Sequence, residues 1–347
     1  MGEARGRLFA AYLAQKRPAI NAYLAEHAPK PEAGTQAQDD MERYAYAPLA
    51  RFTEAGGKRT RPALVLLGAE AVGGDEARAL SCASAIEYFQ SAALIHDDIA
   101  DEGQLRRGEP CTYLTEGTGV AINIGDLGIV HTFAGILDDC TLDAETKLSV
   151  LSLLARMEQR TVEGQALDLG WTRDGRWDIT PDDYRVMARH KTAYYSAATP
   201  LAAGAITGGG TREQVAALHA FGMDAGLAFQ LQDDLLNLVG DAEKQGKDFR
   251  SDITEGKRTL AVCLALKKLP EAAHDELISI LSAHTEDPDA QARAVALMDE
   301  AGAIDAVREE AHGLAASAKS HLEGLSWAAD AEELLLDMAD FFVERAG

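Results

Sequence analysis

Thr211, followed three residues later by Gln214, has the spacing of a helix-capping box, and the stretch it opens runs unbroken to about Val239. Thr180 precedes Pro181, with Asp183 at the third helical position, and marks a second start of the same kind. Asp75, after Gly73 and Gly74, opens an apolar-rich segment reaching Asp101. The segments at about 119–139, 143–169, 180–208 and 211–239 all read as long helices. Alanine and leucine are abundant, aromatic residues make up only 6%, and no run of alternating β-branched residues appears. The fold class predicted is all-α. Shorter helices are expected after about residue 265, split near Pro270 and at 285–290. The stretch from His27 to Asp40 reads as a polar linker, and 102–110 and 240–258 read as charged, glycine-bearing loops. No fixed-period repeat or low-complexity tract interrupts the pattern. With 347 residues, 47% of them hydrophobic, the simplest outcome is one large helical bundle over residues 1–347, a single domain.

Formal net charge is −23, so no basic stripe exists to neutralise a nucleic-acid backbone. A phosphorylated small molecule remains compatible, because a few cations gathered in one cleft set the local field. The four cysteines (Cys82, Cys111, Cys140, Cys263) are widely spaced, form no CxxC pair, and read as reduced thiols rather than a disulfide frame or zinc site. The apolar stretch Leu8–Ala14 is too short for a signal peptide, and no run approaches membrane-spanning length. A soluble, cytoplasmic protein without stable membrane insertion is expected.

The strongest local signal is LIHDDIAD at 94–101. Asp97 and Asp101 are four apart and share one helix face, with Asp98 beside them. Like charges at that spacing repel, and the neighbouring apolar run makes an uncompensated carboxylate costly. A hard cation such as Mg²⁺ resolves the conflict, since it favours one or two carboxylates plus phosphate oxygens and water. A solvated helix end is the bland alternative for one such motif alone. A second cluster, FQLQDDLLN at 229–237, puts Asp233 and Asp234 on another long helix, with Asn237 four residues after Asp233. Basic residues accompany both clusters. Arg106 and Arg107 follow Asp101, placed where both can turn toward a metal site. Lys58 and Arg61 lie in GGKRTRP, at a helix start where Gly56 and Gly57 permit close approach of an anion. Lys191 and Thr192 sit inside a helix, and Lys247 and Lys257 in the second loop. Singly each is an ordinary surface residue; together they match the needs of a departing diphosphate. Carboxylates hold metals, metals and fixed cations neutralise the leaving group, and long apolar helices house the carbocation that remains.

In this order and spacing the motifs resemble the trans-isoprenyl diphosphate synthases, or polyprenyl synthetases. The match runs from about 50 to 265 through GGKRTRP, LIHDDIAD, RRG at 106–108, AINIGD at 121–126, GQALDL at 164–169, KTA at 191–193, FQLQDD at 229–234, GKD at 246–248 and EGKRTL at 255–260. The C-terminal part, about 266–347, carries no interpretable motif and is assigned to packing and dimer structure. The resemblance implies the isoprenoid synthase fold around a central cavity, a homodimer, and Mg²⁺-dependent condensation of isopentenyl diphosphate with an allylic diphosphate. Three Mg²⁺ ions per site are implied. By the same resemblance Asp97, Asp101 and Asp233 are metal ligands. Lys58, Arg61, Gln90 and Arg107 are placed at isopentenyl diphosphate. Arg106, Lys191, Thr192, Gln230, Lys247 and Lys257 are placed at the allylic diphosphate, with Lys191, Thr192 and Gln230 nearest the chemistry. Gln165 and Asp168 match positions lining the cavity near the first cluster. Two departures stand out. Gln90 occupies a position usually held by histidine; it donates a hydrogen bond but carries no charge. Asn237 replaces an aspartate, leaving an amide oxygen to face a metal or its water.

Ala93, Ala92 and Phe89 lie four, five and eight residues before Asp97, below the metal site. Family members making C15 often block the first two depths with an aromatic; alanine leaves them open, so a C20 product is expected, with C25 or longer as the alternative. A class I terpene cyclase shares the fold and ionisation chemistry but has no use for Lys58, Arg61 and Arg107. A non-catalytic partner subunit typically loses aspartates of the first motif, and all three are intact.

Overall fold

Both capping boxes form in the computed structural model, which describes residues 6–34, 36–241 and 249–344. The Asp183 N–H donates to the Thr180 hydroxyl at 3.2 Å, and the Thr180 N–H donates back to the Asp183 carboxylate at 3.0 Å. Thr211 and Gln214 repeat the exchange at 3.2 and 2.9 Å. Each box satisfies two backbone donors that a helix start leaves orphaned.

The N-terminal half contains α1 (Arg7–Glu26), α2 (Ala47–Glu54), α3 (Thr60–Ala71), α4 (Leu80–Ala100), α5 (Thr118–Asp138) and α6 (Ala144–Arg173). Next come α7 (Pro181–Ala188), a π-helical stretch (Arg189–Ala198), α8 (Thr199–Thr207) and α9 (Arg212–Val239). The C-terminal helices are α10 (Leu260–Lys268), α11 (Glu271–Ser282), α12 (Pro288–Glu300), α13 (Ala303–Ser320) and α14 (Ala329–Glu344). The breaks near Pro270 and at 285–290 fall where the sequence puts them.

Four local expectations need correction. Asp75 opens a short 3₁₀ turn (Glu76–Ala79), its carboxylate taking the Ala77 N–H at 3.0 Å, before α4 begins. The segment 180–208 is not one continuous α-helix. Pro200, at the head of α8, has no N–H to return to the preceding turn. The wider π turns lie immediately before it, a feature that favours functional sites. The segment 102–110 is not wholly irregular: β1 (Leu105–Arg106) pairs antiparallel with β2 (Glu109–Pro110). Arg107 and Gly108 between them have φ of 55° and 86°, as a tight primed turn requires. Finally, α5 does reach spanning dimensions, with 21 residues and mean hydropathy 1.6, although Asn123, Asp126 and His131 interrupt it.

The packing centres on paired helices. α4 lies along α5, α3 along α8, and α9 between the π stretch and α13. Where α3 meets α8, a Cβ on Gly204 would stand 1.9 Å from the Val65 carbonyl oxygen, so only glycine allows this approach. One connected apolar core includes residues from Phe9 to Val343. Asp337 on α14 takes the N–H groups of Gly6 and Phe9 at 2.7 and 2.9 Å, capping α1 from the far end of the chain.

Candidate active site

The first acidic motif is divided by the helix that carries it. Asp97 accepts the Gln165 Nε2 donor at 2.8 Å, from α6 across the gap. Asp101 caps the end of α4, its N–H bonded to the Asp97 carbonyl at 2.9 Å. Asp98 faces elsewhere: it is buried, and Arg106 from the hairpin donates to its Oδ1 through Nε at 2.8 Å and Nη2 at 2.5 Å. The crowding of protein around Asp101, and then the charge of Asp97, push its carboxyl up to about 6 although its outer side meets solvent. A divalent cation bound between them would relieve that repulsion.

Opposite stands a cationic wall. Lys191 Nζ donates to Asp168 at 2.5 Å. A Cβ on Gly164, one helical turn before Asp168, would sit 2.2 Å from the Lys191 backbone nitrogen, so glycine lets α6 and the π stretch touch. Burial alone would lower the Lys191 pKa, but Asp168 and then Asp97 outweigh it and the net shift is upward. Lys257 behaves likewise. Burial opposes its charge, while Asp252 and Glu255, at 3.4 and 2.5 Å, hold it well above the ordinary lysine range. Burial raises Asp168, yet Lys191 and Lys257 bring it below the usual carboxylate range. A cleft of about 760 Å³ is lined by Asp101, Asp168 and Lys257. Lys247 lies outside the described residues.

Thr192 of the π stretch donates to the side-chain Oε1 of Gln230 on α9 at 2.6 Å, and Gln230 Nε2 donates to Asp234 at 2.7 Å. Tyr184 also donates to Asp234. Burial, then the charge of Asp252, raises the Asp234 carboxyl to about 8. Asp234 is thus tied to Tyr184 and Gln230, and Asp233 beside it is half-buried. Asn237 makes contacts within the protein. Its Oδ1 accepts the Asp252 N–H at 3.2 Å and its Nδ2 donates to Ser251 at 3.1 Å, pinning the segment that carries Lys257.

A second cavity, of about 210 Å³, collects Lys58, Arg61, Gln90 and Arg107 from three separate parts of the chain. The two hairpin arginines thus part company, as neighbouring residues beside a tight turn do, and only Arg106 turns toward the acidic motif. Arg107 packs over the Phe52 ring at 5.7 Å. Its pKa is lowered, by burial first and by Arg59, Arg106 and Arg61 against the opposing pull of Glu87. Arg61 donates to the Tyr195 hydroxyl at 3.0 Å and to Ser196 at 2.8 Å.

Sequence reasoning missed the frame of this cavity. Arg59, left-handed at φ 53°, is buried and ion-paired with buried Glu87. It also donates to Asn21 at 2.8 Å and to the Thr53 carbonyl at 2.7 Å. Glu87 stands three residues before Gln90 on α4, so its helical spacing was the available signal. Phe229, Phe341 and Phe342 also line the cavity. The C-terminal helix therefore contributes to the site and is not packing alone.

Of the three residues below the metal site, Ala92 is fully buried at the α4–α5 crossing, where a Cβ on Gly128 would stand 3.1 Å from its own. Ala93 is half-buried. Phe89 is buried, with its ring edge-on to Tyr195 at 5.8 Å.

Among the described residues, no three His, Cys, Asp or Glu side chains converge on a ready-made metal cage. The donor set fits Mg²⁺, which takes one or two carboxylates and completes its shell with water and phosphate oxygens.

The polyprenyl synthetase family model matches residues 42–298. A short chain isoprenyl diphosphate synthase of Methanothermobacter thermautotrophicus is 41% identical over 84% of this chain and 87% of its own. A geranylfarnesyl diphosphate synthase of Natronomonas pharaonis is 37% identical over 96% and 97%. The crystal structure of geranylgeranyl pyrophosphate synthetase from Pyrococcus horikoshii superposes with TM-score 0.87 at 32% identity, covering 97% of this chain and 98% of that one. Geranylgeranyl pyrophosphate synthase from Corynebacterium glutamicum, complexed with isoprenyl diphosphate and magnesium, gives TM-score 0.80 at 28% identity, covering 98% of both chains. With the motifs, the helical fold and these relatives in agreement, the chain is a prenyltransferase with the isoprenoid synthase fold and belongs to the polyprenyl synthetase family.

Proposed function

We propose that this protein is a Mg²⁺-dependent trans-prenyltransferase that adds isopentenyl diphosphate head-to-tail to an allylic diphosphate, giving mainly a C20 product. The observation that carries the reading is that the chain gathers two separate cationic sites. One is built from Lys58, Arg61 and Arg107, the other from Lys191 and Lys257 beside Asp97 and Asp101. A cyclase has no use for the first.

Asp97, Asp101 and Asp233 would hold the metal, three ions in all, and the metal supplies charge neutralisation at the diphosphate. Lys191 and Lys257, kept charged by their carboxylate partners, clamp the allylic diphosphate with Arg106 and Lys247. The Thr192 and Gln230 oxygens would steady by their dipoles the carbon that becomes cationic. In the other cavity Lys58, Arg61, Gln90 and Arg107 bind isopentenyl diphosphate, aiming its double bond at that cation. The double bond attacks, a proton leaves the new cation, and the departed diphosphate accepts it. The apolar helices keep water from the cation throughout.

A product one isoprene unit longer is the second reading, supported by the geranylfarnesyl diphosphate synthase among the relatives and by alanine at 92 and 93. A single domain over 1–347 and a cytoplasmic homodimer belong to the same proposal. α5 exposes Ile122, Val130 and Leu137, and α6 exposes Leu148 and Val162, with 62–67% of Val130, Leu148 and Val162 open to solvent. A second copy of the chain would cover this face.

The deciding experiment incubates the protein with Mg²⁺ and each of three allylic primers, with and without isopentenyl diphosphate, and reads products by mass spectrometry. Elongation only when both substrates are present supports the reading, and product from the primer alone sinks it in favour of a cyclase. Asp97→Ala should lose turnover by at least about a thousandfold. An inactive wild type that activates a second prenyltransferase would identify a regulatory subunit instead.

A further inference from the structure

We propose that Tyr195 determines specificity twice over: its ring, with Phe89, forms the cross-piece that stops the growing chain, and its hydroxyl positions Arg61 for isopentenyl diphosphate. The inference rests on the elongation reading above and assigns a residue outside its substrate-binding set.

Three contacts meet on this one side chain. The Arg61 guanidinium lies 4.4 Å from the Tyr195 ring centroid, while its Nη2 donates to the Tyr195 hydroxyl at 3.0 Å. Phe89 approaches the same ring edge-on at 5.8 Å and 69°. Tyr195 thus touches both the Arg61 cation and an aromatic ring of α4.

The position along the helices gives the pair its effect. Phe89 lies eight residues before Asp97, about 12 Å down the α4 axis at 1.5 Å per residue. Tyr195 lies three residues beyond Thr192 on the π stretch. The Phe89–Tyr195 contact joins α4 to the π stretch that carries Lys191 and Thr192. Ala92 and Ala93 put no bulk above this level, so the first aromatic barrier on the path is this bridge rather than a single ring on α4.

The hydroxyl does separate work. Arg61 Nη2 is fixed by Tyr195 and Ser196, whereas its Nε is shut off from solvent and has no hydrogen-bond partner in the protein. Fixing one arm of the guanidinium sets how the rest of the group faces the cavity it lines. Tyr195 acts on the reaction through Arg61 and is a positioning residue in that role.

Two substitutions pull the roles apart. Tyr195→Phe keeps the ring and removes the hydroxyl, so the KM for isopentenyl diphosphate should rise about 2- to 10-fold, the loss of one hydrogen bond, with product length unchanged. Tyr195→Leu removes the ring and should lengthen the main product by at least one C5 unit. Phe89→Leu removes the other half of the bridge and should lengthen product while the isopentenyl diphosphate KM stays at the wild-type value. Phe89→Leu also decides the length question should Tyr195→Leu fail to fold. Wild-type product length in Tyr195→Leu or Phe89→Leu overturns the bridge, and a wild-type KM in Tyr195→Phe overturns the positioning role. A wild type that elongates no primer overturns the prenyltransferase reading itself, before any variant is compared.

Discussion

Gln165 Nε2 donates to Asp97 Oδ1 at 2.8 Å, joining α6 to α4 where the first acidic motif opens. The bond holds one carboxylate oxygen, and in the proposed role the other would face a cation. It also fixes the side-chain rotamer of Asp97 before any ligand arrives. Supports of this kind, one step behind a metal ligand, commonly carry 10- to 100-fold in metal affinity or activity.

Gln165→Leu should therefore raise the Mg²⁺ concentration needed for half-maximal turnover by about 10- to 100-fold, with a folded protein and unchanged substrate preference. A Mg²⁺ titration of initial rates measures it. Wild-type Mg²⁺ dependence would mean that Asp97 is oriented without α6.

The legible part of this protein was the part written in short range. Caps at Thr180 and Thr211 are local signals, and both form as read. What stayed hidden depends on partners distant in sequence. Nothing local separates Asp98 from its neighbours in the motif, and only the fold shows Arg106 taking it through a two-residue turn. Asn237 looks like a weakened metal ligand until residues 251 and 252 return to it. Phe341 and Phe342 carry no periodic signal at all. They reach the cavity because Asp337 fastens α14 to the start of α1. The π turns around Lys191 were foreshadowed only by Pro200.

The α4–α5 crossing makes the effect of Ala92 twofold. An aromatic ring there should shorten the product, since it stands above the Phe89 level. It also meets the α5 backbone at Gly128, where space is already taken. Ala92→Phe should thus give a shorter main product together with a loss of about 1–3 kcal/mol in stability, the usual penalty of overpacking. Product mass spectrometry and denaturant unfolding read the two effects independently. Unchanged product length would refute the role of this depth.

Glu158 supplies a pH test away from the carboxylate motifs. It lies two turns before Gln165 on α6, burial alone pushes its carboxyl up to about 8, and its Oε1 has no hydrogen-bond partner. A carboxyl whose folded pKa is raised binds more protons folded than unfolded. Its stabilisation is complete below the unfolded value, near 4.3, and disappears as pH rises through about 8. Glu158→Gln removes this titration. At pH 9 the variant should be more stable than wild type by about 1–3 kcal/mol, and at pH 4 no more stable. Thermal unfolding of both proteins from pH 4 to 9 measures the difference. Parallel curves would place the carboxyl in solvent.

The Arg59–Glu87 pair is the last and most severe test, because both side chains are buried and every Arg59 donor group is engaged. Desolvating two charges is repaid only while both remain. Removing one leaves the other buried and uncompensated, which costs about 3–5 kcal/mol. Glu87→Ala should be destabilised by that amount. The isopentenyl diphosphate KM should rise as well, because the left-handed turn at Arg59 sets Lys58 and Arg61 on either side of it. Replacing both partners, Arg59→Met with Glu87→Met, removes the orphaned charge and should recover much of the stability. The KM should remain raised, since Asn21 and the Thr53 carbonyl then have nothing to hold the turn. Chemical denaturation and steady-state kinetics on the three proteins separate these effects. A double variant that regains both stability and wild-type KM would show that the pair is only core, with no part in shaping the cavity.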